Sequence, residues 1–161
     1  MQDVLTRKRH GPRPRTTSTN PHSQLDQNAP VELQEKLFDL GKSLAGVKIG
    51  PSLVSVPGTR AFHLPGCTHA PRDSFMVECE FAHLHPPHDG SRHMTLPLDL
   101  LDSAIANGWA ELHPLAGRYG LPANIVMVYG PRNEEEFAIV ARILRASHKT
   151  ARNSFVQGPP E

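Results

Sequence analysis

The stretch from Phe81 to Pro97, FAHLHPPHDGSRHMTLP, constrains this chain more than any other. It holds His83, His85, His88 and His93, four of the ten histidines. Two short runs flank Pro-Pro-His-Asp-Gly, and Asp-Gly between alternating runs signals a β-hairpin, because glycine supplies the positive φ of the turn. A two-residue Asp-Gly loop would put Pro86 and Pro87 inside the ladder, where neither can donate a hydrogen bond. A five-residue loop, Pro86 to Gly90, avoids this. It sets His85 opposite Ser91 and His83 opposite His93.

Side chains alternate faces along a strand. In this register one face carries Phe81, His83, His85, Ser91, His93 and Thr95. The other carries Ala82, Leu84, Met94 and Leu96, with Glu80 and Arg92 at its ends, and is the natural core face. Three imidazoles therefore gather on one polar face. Strict alternation turns Glu78 and Glu80 away from them, so no carboxylate is expected to orient the rings.

The rest of the chain supplies the frame. Residues 1–30 are rich in Arg, Pro, Thr, Ser, Asn and Gln and poor in large apolar side chains, and are expected to form a disordered basic tail. Arg7, Lys8, Arg9, Arg13 and Arg15 against Asp3 and Asp26 give it a balance of +3, while the whole chain carries only +1. The tail is expected to be dispensable for folding. Leu33, Leu37, Leu40 and Leu44 form a helical stripe in Val31 to Leu44. Leu53 to Val56 and Arg60 to Leu64 flank Pro57-Gly58-Thr59 as a second hairpin. Phe75 to Phe81 should open the strand leading into the central hairpin. Pro97 to Asn107 reads as a helix stopped by Gly108. Asn124 to Tyr129 is a near-continuous apolar strand, and Asn133 caps a final helix running to about His148. The expected fold is α+β, a mostly antiparallel sheet with helices packed on one face, in a single domain over 31–152. Residues 153–161 should fray.

Cys67 and Cys79, the only cysteines, are expected as reduced thiols in a soluble, cytoplasmic protein. No secretory h-region and no apolar run of membrane-spanning length is present. The small net charge gives no signal for specific nucleic-acid binding. Gly66, Cys67, His69 and Asp73 match no zinc spacing and read as a loop.

The blocks Phe81–Pro97, Gly108-Trp109, His113-Pro114-Leu115-Ala116-Gly117 and Val126-Met127-Val128-Tyr129 with Pro131-Arg132, in this order, resemble the luciferase-domain family. The resemblance runs from about Leu53 to His148. It implies an oxygenase that adds molecular oxygen to a hydroxylated styrylpyrone without metal or flavin, through an endoperoxide that loses carbon dioxide. The chain is shorter than the luciferases proper and lacks their N-terminal anchoring segment, so light emission is not expected of it.

Such chemistry needs a base, a dry site and donors for the developing oxyanion. His83, His85, His93 and His113 are the candidate catalytic residues, since histidine titrates near working pH. Arg92 or Arg118 could serve as donors. Phe81, Trp109 and Tyr129 could wall an aromatic ligand. The residues leave three readings open. One is a cofactor-free oxygenase on a small aromatic or pyrone-like ligand, with oxygen as co-substrate. The second is a metal-dependent enzyme using His83, His85 and His93. The third is a non-catalytic ligand-binding or regulatory domain recruited by its basic tail. Oligomeric state is not readable.

Overall fold

The computed structural model describes residues 5–68 and 70–155. His69, the first four residues and the last six lie outside them. Six strands form one antiparallel sheet in the order β1-β2-β3-β4-β6-β5: β1 Lys48–Pro51, β2 Arg60–His63, β3 Glu80–Leu84, β4 Arg92–Thr95, β5 Ala110–Leu112 and β6 Ile125–Val128. The three α-helices are α1 Val31–Ser43, α2 Leu98–Ala106 and α3 Glu134–Asn153. Leu37 of α1, Leu100, Leu101 and Ala104 of α2, and Val140, Ile143 and Leu144 of α3 join Phe62, Ala82, Met94, Val126 and Val128 in one core. The helices thus cover one sheet face, as the α+β reading requires.

The central hairpin has the expected register. His83 pairs with His93 and Leu84 with Arg92, and the His85 amide donates to Ser91 O at 3.0 Å across the five-residue loop. Gly90 closes that loop at φ 72°, and a Cβ there would also strike the Gln34 amide. The final helix is capped as expected, with Asn133 Oδ1 accepting from the Glu136 amide at 2.9 Å.

Alternation fails at one point. β2 pairs Phe62 with Ala82 but His63 with Glu80, so Phe81 is the extra residue of a β-bulge. The bulge drops Phe81 into the helix-packed core, 6.2 Å from the Phe62 ring and 5.7 Å from that of His148. It also turns Glu80 onto the histidine face. Both assignments from strict alternation are therefore corrected by one inserted residue.

The second expected hairpin is also different. Arg60–His63 pairs with Lys48–Pro51, and 53–56 is not a strand. Ser52 Oγ accepts from the Val54 and Ser55 amides, and Glu80 accepts from the Leu53 amide at 2.8 Å. Side-chain acceptors have captured the donors a ladder would use. Phe75 to Cys79 is likewise not strand; it bends through Glu78 at φ 45° before β3 starts.

Residues 5–30 are not a disordered tail. Leu5 is buried in the core at the α2 corner, and its amide donates to Ser103 Oγ. Trp109 Nε1 donates to Arg7 O at 2.7 Å, and Arg13 donates to Ala110 O at 2.8 Å. His22 and Gln24 are buried, and Gln24 accepts from the Gly130 amide. Composition misled because this segment is held by long-range polar contacts to the sheet rather than by an apolar stripe. Cys67 and Cys79 are joined by a disulfide, not reduced. The expectation of thiols rested on compartment alone, whereas the loop before the bulge brings the two together.

Truncation to Val31 removes Leu5 and these buried polar contacts. Burial of one leucine is worth ~1.5–3 kcal/mol, and a chain this size shifts by about 2–4 °C per kcal/mol. The truncated chain should melt about 5 °C or more below the full one in a thermal scan. An unchanged midpoint would show that the segment does not pack. Non-reducing mass analysis should find the intact protein two hydrogens light, with the mass restored by reductant.

Candidate active site

The face opposite the helices holds a cavity of about 470 Å³. Its lining includes five imidazoles: His22, His83, His85, His93 and His113. Val54, Val56, Met76, Leu115, Leu121 and Ile125 are its apolar lining, with Tyr119 at the rim, 88% exposed. Each element delivers its part for a local reason. The hairpin register aligns His83 with His93, and the loop before Ser91 places His85. His113 follows β5, and its amide donates to Ile125 O at 2.9 Å, anchoring the turn on β6. The bent 52–56 segment contributes the valines.

The rings form a connected array. Glu80 Oε1 lies 2.8 Å from His83 Nδ1, and His83 Nε2 lies 3.0 Å from His93 Nδ1. His93 Nε2 lies 2.9 Å from His22 Nδ1, and His22 Nε2 lies 3.0 Å from Glu111 Oε2. On a separate arm, Asp89 Oδ2 meets His85 Nδ1 at 2.9 Å. His113 Nδ1 accepts the Leu115 amide at 3.0 Å, so in the neutral ring the proton sits on Nε2. His113 is thereby a donor.

Burial sets the electrostatics. It pushes His83 below its ordinary range against the opposing pull of Glu80, and His93 well below it, helped by the neighbouring imidazoles. Burial also lowers His113, to about 4. For the carboxyls, burial acts upward, but the hydrogen bonds win. His83, Leu53 N–H and Ser52 hold Glu80 below the usual range; His85 and Ser91 do the same for Asp89, and His22, Tyr129 and Thr16 for Glu111.

Of the residues singled out from sequence, the structure brings His83, His85, His93 and His113 to the cavity. His88 is exposed in the turn. The five proposed ligand-binding residues are elsewhere. Phe81 and Trp109 are core. Arg92 faces the helices, across from Val128, with Nη1 and Nη2 buried and without a partner among the described residues; burial lowers it to about 10. Arg118 is exposed outside the lining. Tyr129 sits behind the wall, its hydroxyl donating to Glu111 at 2.9 Å, and burial raises it to about 12.

Sequence reasoning missed His22, Glu80, Asp89 and Glu111. Asp89 could have been found, since a turn aspartate four residues after His85 can reach back to it. Glu80 depends on the bulge, and His22 and Glu111 meet only through the fold.

The lowered imidazoles fix a pH dependence. Unfolded histidines gain protons as pH falls through about 6.5, while His83, His93 and His113, lowered by burial, resist protonation. The unfolded state then binds more protons, so stability falls as pH drops from about 6.5 towards 4. The urea midpoint should decrease between pH 7 and pH 5, and a midpoint flat over that interval would contradict the neutral array.

Residues 78–147 match a family model described as "Luciferase domain". Over 70 residues the chain is 43% identical to a luciferase of Armillaria ostoyae, 41% to one of Armillaria mellea and 40% to one of Neonothopanus nambi. Each alignment covers 42% of this chain and 26% of the relative, so the chain spans about a quarter of the length of the curated relatives it matches. No solved structure matches the chain. The stretch 78–147, which supplies His83, His85, His93 and His113 to the cavity, is the part of the chain that is similar to the luciferase domain.

Proposed function

We propose that this chain is an oxygenase acting on a small, flat, enolisable aromatic or pyrone-like ligand. One observation carries the reading: a cavity of ligand size lined by five imidazoles together with apolar side chains. The apolar side chains pack the ring of the ligand, and the imidazoles handle its proton and oxygens.

The Asp89–His85 pair is the proton acceptor. Asp89 holds the proton on Nδ1, which leaves the Nε2 lone pair for the ligand, the arrangement by which a carboxylate sets the tautomer of a general base. Deprotonation leaves an enolate whose carbon gives an electron pair to molecular oxygen, forming a C–O bond and a peroxide. The Nε2–H of His113 is the donor for that oxygen. The fungal relatives are named luciferases; for this chain oxygen chemistry on such a ligand is proposed.

The metal-dependent alternative gains support from Glu80 and Asp89, the orienting carboxylates that the sequence did not show. The binding-domain alternative loses its main ground, since the basic segment is packed against the sheet rather than free to recruit a partner. Among the described residues no helix is long and apolar enough to cross a membrane. The Cys67–Cys79 bond favours an oxidising compartment over the cytoplasm expected from sequence.

Oxygen uptake should be measured with hydroxylated pyrones and catechol-like compounds. The expected result is ligand-dependent uptake that His85→Asn lowers about 10²–10⁴-fold, the usual general-base contribution. His88→Ala should leave it unchanged. Equal loss in both variants, or full activity in H85N, would remove His85 from the reaction.

A further inference from the structure

We propose that His83, His85 and His93 hold one divalent first-row transition-metal ion, with Glu80, Asp89 and the His22–Glu111 pair orienting the three ligands from behind.

The argument is a proton count. The chain Glu80–His83–His93–His22–Glu111 contains four close contacts, at 2.8, 3.0, 2.9 and 3.0 Å. Each contact needs one proton between its two acceptor atoms. Three neutral imidazoles carry only three. Without an ion, the fourth contact requires one proton more than neutral rings and ionised carboxylates supply, carried either by a buried imidazolium or by a protonated carboxyl. An ion between His83 Nε2 and His93 Nδ1 replaces the missing proton. The three remaining protons then fill the three remaining contacts, and every ring is neutral.

The tautomers follow without further choice. His83 gives Nδ1–H to Glu80 and turns Nε2 to the ion. His85 gives Nδ1–H to Asp89 and has Nε2 free for it. His93 binds through Nδ1 and gives Nε2–H to His22, whose own Nε2–H goes to Glu111. All three ligands are thus backed by a carboxylate, directly or through one imidazole, as metal-binding histidines almost always are.

Geometry agrees. One nitrogen from each of His83, His85 and His93 lies within 4.8 Å of the others. Metal–nitrogen bonds of ~2.0–2.1 Å in a tetrahedron set nitrogens about 3.3 Å apart, and the His83–His93 pair stands at 3.0 Å. Three neutral nitrogens suit zinc, iron, copper or nickel rather than magnesium or calcium. The second cluster, His22, His93 and His113, fits poorly. His113 already accepts the Leu115 amide at Nδ1, so its Nε2 bears a proton and cannot ligate.

This goes beyond the oxygenase reading and differs from it on one lone pair. With the ion present, His85 Nε2 is a ligand and an ion-bound hydroxide takes over as base.

The test uses the full chain without an affinity tag, stripped with chelator and titrated with Co²⁺ and Zn²⁺. One equivalent of Co²⁺ should bind with the visible absorption of a tetrahedral nitrogen site and be displaced by Zn²⁺. His83→Gln, His85→Gln and His93→Gln should each weaken binding 100-fold or more. Asp89→Asn and Glu111→Gln, which leave the ligands in place, should weaken it about 10–100-fold, and His88→Gln should not change it. Circular dichroism identifies variants that fail to fold; if the ligand variants do so, the two carboxylate variants decide. No stoichiometric binding, or binding that survives in every folded variant, overturns the ion. Oxygen uptake by a metal-free protein would leave the His85-base reading standing, so the two proposals fail separately.

Discussion

The pairing of His83 with His93 across the central hairpin, together with the bulge just before it, is the constraint on which the site depends. Antiparallel pairing puts two imidazoles face to face at a spacing only a proton or a cation can bridge. The bulge then breaks alternation by one residue. A phenyl ring goes to the core, and a carboxylate comes round to fix the tautomer of His83. The same step that fills the hydrophobic layer beneath the sheet completes the polar layer above it.

The polar layer would be costly if left open. Buried imidazoles and carboxylates must satisfy one another. The N-terminal segment does much of this, bringing His22 onto His93 and Thr16 onto Glu111, while Arg13 ties the segment to the edge strand β5. Its residues lie outside the stretch that matches the luciferase domain, yet the histidine array is incomplete without them. Folding of the segment and protonation of His93 are therefore coupled, since His22 packs on a ring that burial holds well below its ordinary range.

The hairpin, its five-residue loop, the helices with an apolar stripe and the Asn133 cap were legible in the sequence because each is set by neighbours within a few residues. Proline exclusion from a ladder and the φ of Gly90 suffice for the loop. Phe81 and Arg92 were misread for different reasons. Phe81 obeyed alternation until the pairing with β2 inserted it as an extra residue. Arg92 lay on the core face as read, but its guanidinium was credited to a site on the opposite face. Trp109 and Tyr129 were aromatics of the core and the supporting layer, which composition cannot separate from a ligand wall.

The sequence by itself determined that four histidines would sit in or beside one hairpin, that three would share a face, and that the sheet would be antiparallel with helices beneath. Those properties follow from periodicity and turn chemistry, which act along the chain. Only the tertiary structure decided which carboxylates stand behind the rings, that the N-terminal segment supplies a fifth imidazole, and that the two cysteines meet. Those depend on contacts between residues as far apart as His22 and Glu111. Such contacts are made by polar groups seeking partners once the apolar layer has closed, and polar complementarity leaves no periodic mark in a sequence.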